Sequence, residues 1–263
     1  MLNWKAFVAG CTLAVALFLF AQHKPAMPDA GPFHNVIDLT HNLNDHSPNW
    51  EGSEKSPYHA TTLGSLERDG YYSRIFTTQE HYGTHLDAPA HFAAGAWTVD
   101  QIPAERLVRP LVVIDVRKQV KGNPDYEVSV QDIAAWESAH GMVPDAAVVC
   151  AYTGWDERWH SMKEYRHEQG DHLTHYPGFS LDAVQFLVKS RGVVGLGIDT
   201  MSVEMGATTT YPVHHYTSRE GVYHLENLAN LGVVPPVGAM VVVAPIKLEN
   251  GSGGPARVFA LLK

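Results

Sequence analysis

His81-Tyr82-Gly83-Thr84-His85-Leu86-Asp87-Ala88-Pro89-Ala90-His91-Phe92 sets three imidazoles and one carboxylate in a segment that does not read as helix. His81 and His85 are four apart, a helical spacing, but Gly83 between them and Pro89 beyond oppose a helix. These side chains are therefore expected on extended backbone and turn. The preceding residues 71–78, Tyr-Tyr-Ser-Arg-Ile-Phe-Thr-Thr, are aromatic and β-branched and read as a strand feeding the motif. On such backbone His85 and Asp87 share a face. Imidazole nitrogen with carboxylate oxygen suits Zn²⁺ or Mn²⁺, and three protein ligands leave a position open for water or substrate. A metal with an open position lowers the pKa of its water from 15.7 to about 7 and polarises a carbonyl. With 16 His in 263 residues, chance clusters arise, so the ordered pattern carries the inference rather than the count.

That pattern, H-x-G-T-H-x-D-x-P-x-H, resembles the signature of the cyclase family of metal-dependent hydrolases, which includes bacterial kynurenine formamidases and isatin hydrolases. Every specified position is matched. The resemblance implies that His81, His85 and Asp87 are metal ligands and that His91 is the general base and acid. An unperturbed imidazole pKa near 6.5 suits that proton traffic; the alternative is that His91 is another ligand or a structural histidine. The family's second-metal ligands are a His and a Glu twelve residues apart, a spacing met by His214 and Glu226, with His215 as a rival register. The resemblance thus implies two Zn²⁺ or Mn²⁺ ions per chain bridged by Asp87. The isatin hydrolase branch looks like a one-metal version lacking the Glu, so Glu226 pulls the expectation toward an arylformamidase. Thr153-Gly154-Trp155-Asp156, His175-Tyr176-Pro177-Gly178-Phe179 and Gly197-Ile198-Asp199-Thr200 look like further family landmarks, extending the likeness over residues 34–263.

Outside the motif, residues 111–115, 146–151, 193–198 and 239–244 are short continuous apolar runs, the pattern of strands buried on both faces. A first strand is expected over 35–40. Ser129 or Val130 opens a helix ending near Gly141, and Ser180 caps another over 181–189 that Gly192 stops. Residues 245–248 and 256–262, around a Gly-rich turn, read as a hairpin. The expected fold is α/β: a single domain with a mixed β-sheet flanked by helices. The resemblance implies the β/β/α layered, swivelling-domain-like version, and a homodimer or homotetramer.

At 263 residues with 45% hydrophobic content, the chain can bury a substantial core. A net charge of -9 leaves no basic stripe for phosphates, so nucleic acid is not an expected partner. At the N-terminus, Lys5 precedes an apolar run over 6–21, then Gln22-His23-Lys24-Pro25. Residues 1–21 read as a signal peptide or an uncleaved anchor tethering the chain to a membrane, with 22–33 as linker. The expected location is periplasmic or secreted. Val8-Ala9-Gly10-Cys11 looks like a lipoprotein box but precedes most of the apolar run, which argues against lipidation. Cys150 then remains alone, and it ends an apolar run, as a buried small hydrophobe would.

Other residues are ambiguous. Asp156 and Asp199 follow apolar strands and either orient ligating histidines or form turns. Glu80 is expected on the face opposite His81, outside the site, and Glu204 either helps the site or is a solvated charge. Residues 155–178, rich in His and aromatics, suggest a lid, and Trp97, Trp155 and Tyr176 an aromatic wall. The expected activity is hydrolysis of the C-N bond of an arylformamide, N-formylkynurenine-like, by metal-activated water with His91. An isatin-type lactam hydrolase is the alternative enzyme, and a non-catalytic exported metal-binding protein the alternative of another class.

Overall fold

The computed structural model describes residues 33–52, 55–170 and 172–263. The expected leader over 1–21, Cys11 and all of the expected linker but Phe33 lie outside the described residues. Strands β1 (Asn35–Asp38), β2 (His59–Gly64), β3 (Ser73–Thr77) and β4 (His85–Asp87) come first. Then follow β5 (Val108–Asp115), β6 (Glu127–Val128), β7 (Val148–Tyr152), β8 (Gly178–Phe179) and β9 (Gly195–Ile198). The last are β10 (Tyr223–Glu226), β11 (Ala239–Pro245) and β12 (Gly253–Leu262). The helices are α1 (Leu66–Asp69), α2 (Arg117–Val120), α3 (Val130–His140), α4 (Met162–Arg166), α5 (Leu181–Arg191) and α6 (Pro212–Arg219). Among the described residues, no helix is long and apolar enough to cross a membrane.

β5, β7, β9 and β10 run parallel, while β11 lies antiparallel to β5 and β12 antiparallel to β11. β4 is antiparallel both to β10 and to the start of β12, so seven strands close in the order β12-β11-β5-β7-β9-β10-β4. The mixed sheet and its helices match the α/β expectation, but the strand pairing gives a closed barrel in place of layers. The cause is the length of β12, whose ten residues pair on one edge with β11 and on the other first with β4 and then with β1. The tail hairpin accordingly has arms β11 and β12, longer than the 245–248 and 256–262 expected. β3 forms where residues 71–78 suggested, but it pairs only with β2, in a hairpin apart from the barrel.

Alternation along the barrel strands serves two cores. Leu111, Val113, Val148, Cys150, Leu225, Val241 and Val243 belong to one cluster. Val112, Ile114, Val149, Ala151, Leu196 and Ile198 pack instead with Ile133 of α3 and Leu187 of α5. Burying each such aliphatic side chain is worth about 1.5–3 kcal/mol. Both long helices start at the residues read from sequence, and α5 runs two residues past the expected 189, to Arg191. Ser129 accepts from Asp132 N while the Asp132 carboxylate accepts from Ser129 N, and Ser180 caps Ala183 N. Gly192 closes α5 in the left-handed region. In the segment 155–178 expected as a lid, Trp155, Trp159, Tyr165 and Tyr176 are buried in the core cluster that α5 also joins.

Candidate metal centre

The barrel register assembles the centre. In the β4/β10 pair His224 stands opposite Asp87 and Glu226 opposite His85, so four polar side chains two residues apart project to one side. α6 adds the buried His214, while His215 on the next position is exposed. A short turn over Pro89–His91, immediately after β4, carries His91.

Each imidazole at the centre is held from behind. His85 Nδ1 donates to Gly83 O at 2.8 Å, leaving Nε2 to face Asp87 Oδ1 at 3.1 Å and Glu226 Oε2 at 3.4 Å. Gly83 takes φ +69°, a left-handed conformation that glycine adopts without cost; its carbonyl also accepts from Asn227 Nδ2. His81 Nε2 lies 2.9 Å from Ser252 Oγ, and that hydroxyl donates to Glu80 Oε2 at 2.6 Å, so Nε2 carries the proton. Its Nδ1 lies 2.6 Å from Asp87 Oδ1. Glu204 Oε1 accepts from His214 N at 2.8 Å and faces Nδ1 at 3.2 Å, turning Nε2 toward Asp87 Oδ2 and Glu226 Oε1, each at 3.4 Å. His224 Nδ1 lies 3.7 Å from Asp87 Oδ2.

No Lys or Arg among the described residues pairs with Asp87 or Glu226, both buried. Burial alone would raise both carboxyls. For Asp87, contacts with His214, His224, His81 and His85 outweigh burial and hold it well below its usual range. For Glu226, burial and the neighbouring Asp87 are overcome by His214 and His85, leaving it at about 2. In return His85 rises to about 10 despite its own desolvation. Two buried carboxylates with no Lys or Arg beside them call for a cation: in the ion-free protein protons on the neighbouring imidazoles fill that place, and a divalent ion would displace them. His85 Nε2 and His224 Nδ1 are buried without a hydrogen-bond partner, and two groups, His81/His85/Asp87 and Asp87/His214/His224/Glu226, converge their donor atoms within 4.8 Å. The residues present fit a divalent metal of the zinc or manganese kind.

Above the donors opens a cleft of about 150 Å³ lined by Trp50, Phe92, Tyr211, Ser202 and His91 as well as the cluster itself. His91 stacks on His81 with ring centroids 4.0 Å apart. Desolvation lowers it to about 4, so its ring is neutral at pH 7 and able to accept a proton.

The cyclase family model, described as "Putative cyclase", matches residues 37–205. The chain belongs to the cyclase family. Isatin hydrolase of Roseibium aggregatum is 34% identical over 193 residues, 70% of this chain and 72% of that protein. Kynurenine formamidase of Geobacillus thermodenitrificans is 27% identical over 229 residues, 84% of this chain and 94% of that one. Isatin hydrolase A from Ralstonia solanacearum superposes with a TM-score of 0.81 at 34% identity, covering 87% of this chain and 92% of its own. This cyclase-family protein is an enzyme, a metal-dependent hydrolase.

All six residues singled out for the site, His81, His85, Asp87, His91, His214 and Glu226, line one cleft in this cyclase-family chain. Other expectations need correction. Trp155 and Tyr176 are core residues and Trp97 pairs with Arg106, so the aromatic wall is Trp50, Phe92 and Tyr211 instead. Trp50 is fixed by Arg166 of α4, buried itself, which donates to the Asn49 and Trp50 carbonyls. Glu204 is no solvated charge, and Glu80, though outside the donor set, anchors Ser252 behind His81. Asp199 orients no histidine: its carboxylate accepts from Thr153 N and Oγ1, Gly154 N and Trp155 N, fixing the turn after β7. Asp156 accepts from Asn230 N and also stands apart. Cys150 is a buried free thiol whose pKa burial pushes far up. His224 went unread, although period-2 alternation back from Glu226 points to it.

Proposed function

We propose that this enzyme hydrolyses the C-N bond of a small cyclic aromatic amide of the isatin type, with His81, His85 and Asp87 as ligands of a catalytic Zn²⁺ or Mn²⁺ and His91 as general base and acid. The observation that carries the reading is His91 stacked beside the converged histidine and carboxylate donors at the floor of an aromatic cleft. A void of about 150 Å³ takes a benzene ring. Trp50, Phe92 and Tyr211 offer a planar substrate its faces. The greater identity to isatin hydrolase supports a lactam. Family membership and His91, which a simple chelator does not require, weigh against a non-catalytic metal binder.

When bound, the ion lowers the pKa of water and draws charge from the amide carbonyl. The neutral His91 takes the proton from the water that adds to the amide carbon. The C-N bond then breaks and His91 returns that proton to the leaving nitrogen, so one water is consumed and a carboxyl group and an amine are released. Glu204, Ser252 and Gly83 keep the imidazoles pointed inward throughout.

Glu226 and His214 favour a second reading, hydrolysis of an arylformamide, in which they would hold a second ion beside Asp87. Chelator-stripped protein reloaded with Zn²⁺ or Mn²⁺ and assayed on isatin and N-formylkynurenine in parallel separates the two. Turnover of isatin that survives Glu226→Ala fits the lactam reading, in which the ion held by His81, His85 and Asp87 alone does the chemistry; turnover of the formamide lost in Glu226→Ala fits the other. His91→Ala abolishes either while ion content stays; loss of the ion would refute its assignment to proton transfer.

Self-association is proposed on a separate ground. The β2/β3 hairpin and the turn joining its strands hold Leu63, Leu66, Tyr71, Tyr72, Ile75 and Phe76 at 52–66% exposure. Together these present on the order of 800 Å², the area each partner contributes to a stable interface. Gel filtration with light scattering showing only monomer would remove this proposal. Export rests on the apolar residues 6–21, and a mature N-terminus still at Met1 would leave an anchor as the remaining form.

A further inference from the structure

We propose that His224 is a metal ligand, completing with Asp87, His214 and Glu226 a closed four-donor cation site behind the open set of His81, His85 and Asp87. The proposal rests on the metal-dependent reading above and adds to it an inequivalence between two sites.

Three observations carry it. His224 is paired directly opposite Asp87 across the β4/β10 ladder, which fixes its ring on the side of the cluster whatever the side chains nearby. Its tautomer is set by Thr217 of α6. The Thr217 hydroxyl, wholly buried, donates to Val213 O at 2.8 Å, and its oxygen lies 2.7 Å from His224 Nε2. With that hydroxyl proton committed to the carbonyl, Nε2 carries the imidazole proton and Nδ1 presents a lone pair. Lastly, Nδ1 is buried, has no hydrogen-bond partner, and faces Asp87 Oδ2 at 3.7 Å.

The spacing suits an ion. Donors about 2.05 Å from a tetrahedral zinc stand about 3.3 Å apart. His214 Nε2 lies 3.4 Å from both Asp87 Oδ2 and Glu226 Oε1, and His224 Nδ1 needs to advance only a few tenths of an ångström to match. The His214 and His224 rings stand 4.6 Å apart at 87°, so their lone pairs converge on Asp87 without the rings colliding. All four residues are buried, and His224 alone of the four does not line the cleft. Four protein donors fill a tetrahedral shell and characterise an ion that is held; three with an opening characterise one that reacts. The His224 site would hold Asp87 and Glu226 in place while the open set faces the substrate.

The test is titration of the chelator-stripped full chain with Zn²⁺ against a chromogenic chelator, with bound metal counted by mass spectrometry and Co²⁺ absorption reporting coordination number. The wild type is expected to bind two ions with unequal affinity and a tetrahedral Co²⁺ band from the tighter. His224→Gln should lose the tighter ion, at least 100-fold in affinity, and keep the other. Thr217→Val should weaken it about 10-fold to 100-fold, with Thr217→Ser restoring it, which controls for variants that fold poorly. Two ions of unchanged affinity in folded His224→Gln would overturn the proposal. So would a single wild-type ion that is lost in His81→Ala and indifferent to His224, an outcome that leaves the metal-dependent reading intact. A wild type that binds no ion would sink both.

Discussion

Gly253→Ala tests whether β12 is the outer wall of the metal centre. Gly253 pairs with Asp87 across the β4/β12 ladder and lies outside the left-handed region, so alanine brings no backbone strain there. A methyl group at this position would stand 2.5 Å from Leu86 O and 2.6 Å from His81 Cε1. Carbon atoms in contact rest at about 3.5–4.0 Å, so roughly 1 Å must be found. The Leu86 carbonyl can retreat only by opening the β4/β12 pairing, because β4 is held between β10 and β12 on both edges. The contact with His81 is relieved by displacing its ring, moving Nδ1 from Asp87 and Nε2 from Ser252 together. Overpacking of this kind costs about 1–3 kcal/mol of stability, and a 1 Å misplacement at a reacting centre costs about 100-fold in rate. Urea denaturation of the chelator-stripped protein, zinc competition and kcat/KM on the active substrate read the three consequences. A variant with wild-type stability, zinc affinity and kcat/KM would refute the claim that His81 is seated against this strand.

Ser252→Ala removes the acceptor of the His81 Nε2 proton and leaves Glu80 only the backbone N–H of residue 252, and is expected to weaken zinc binding about 10-fold or more, with Ser252→Thr restoring it in the same competition titration. Asp199→Asn keeps one acceptor oxygen for four donors and turns an amide toward the rest, so the urea midpoint should fall by the equivalent of about 2–4 kcal/mol while ion content is unchanged; lost metal would show that Asp199 serves the centre after all. In the chelator-stripped protein His85 is raised to about 10, its desolvation outweighed by contact with Asp87 and Glu226. A raised histidine stabilises the fold fully below its unfolded value near 6.5 and loses that contribution as pH climbs through 10. Stripped protein should thus lose urea resistance between pH 7 and 10, and a flat profile there would contradict the charged imidazole.

The parts legible in the sequence are those written in one continuous segment. His81, His85, Asp87 and His91 fall within eleven residues, on the entry, length and exit of one strand, so spacing and backbone chemistry suffice to gather them. Three of the four parallel strands, β5, β7 and β9, were legible for the same reason, each being an apolar run bounded by turn residues, whereas β10 with its alternating His224 and Glu226 was not. Barrel closure was not, because nothing local in residues 253–262 says that one strand serves three neighbours. The supports of the centre depend on that closure: Ser252 comes to His81 from 171 residues away, and only the β4/β12 pairing brings it there. His224 is the instructive intermediate. It shares a strand face with Glu226 by a rule that sequence alone supplies, yet the twelve-residue interval from His214 drew attention to Glu226 and away from its neighbour two positions back. Once β10 is known to pair with β4, the same rule that groups His85 with Asp87 must group His224 with Glu226, and the four residues become one surface of two strands. A histidine on that surface with its outer nitrogen already hydrogen-bonded has only the cluster to face.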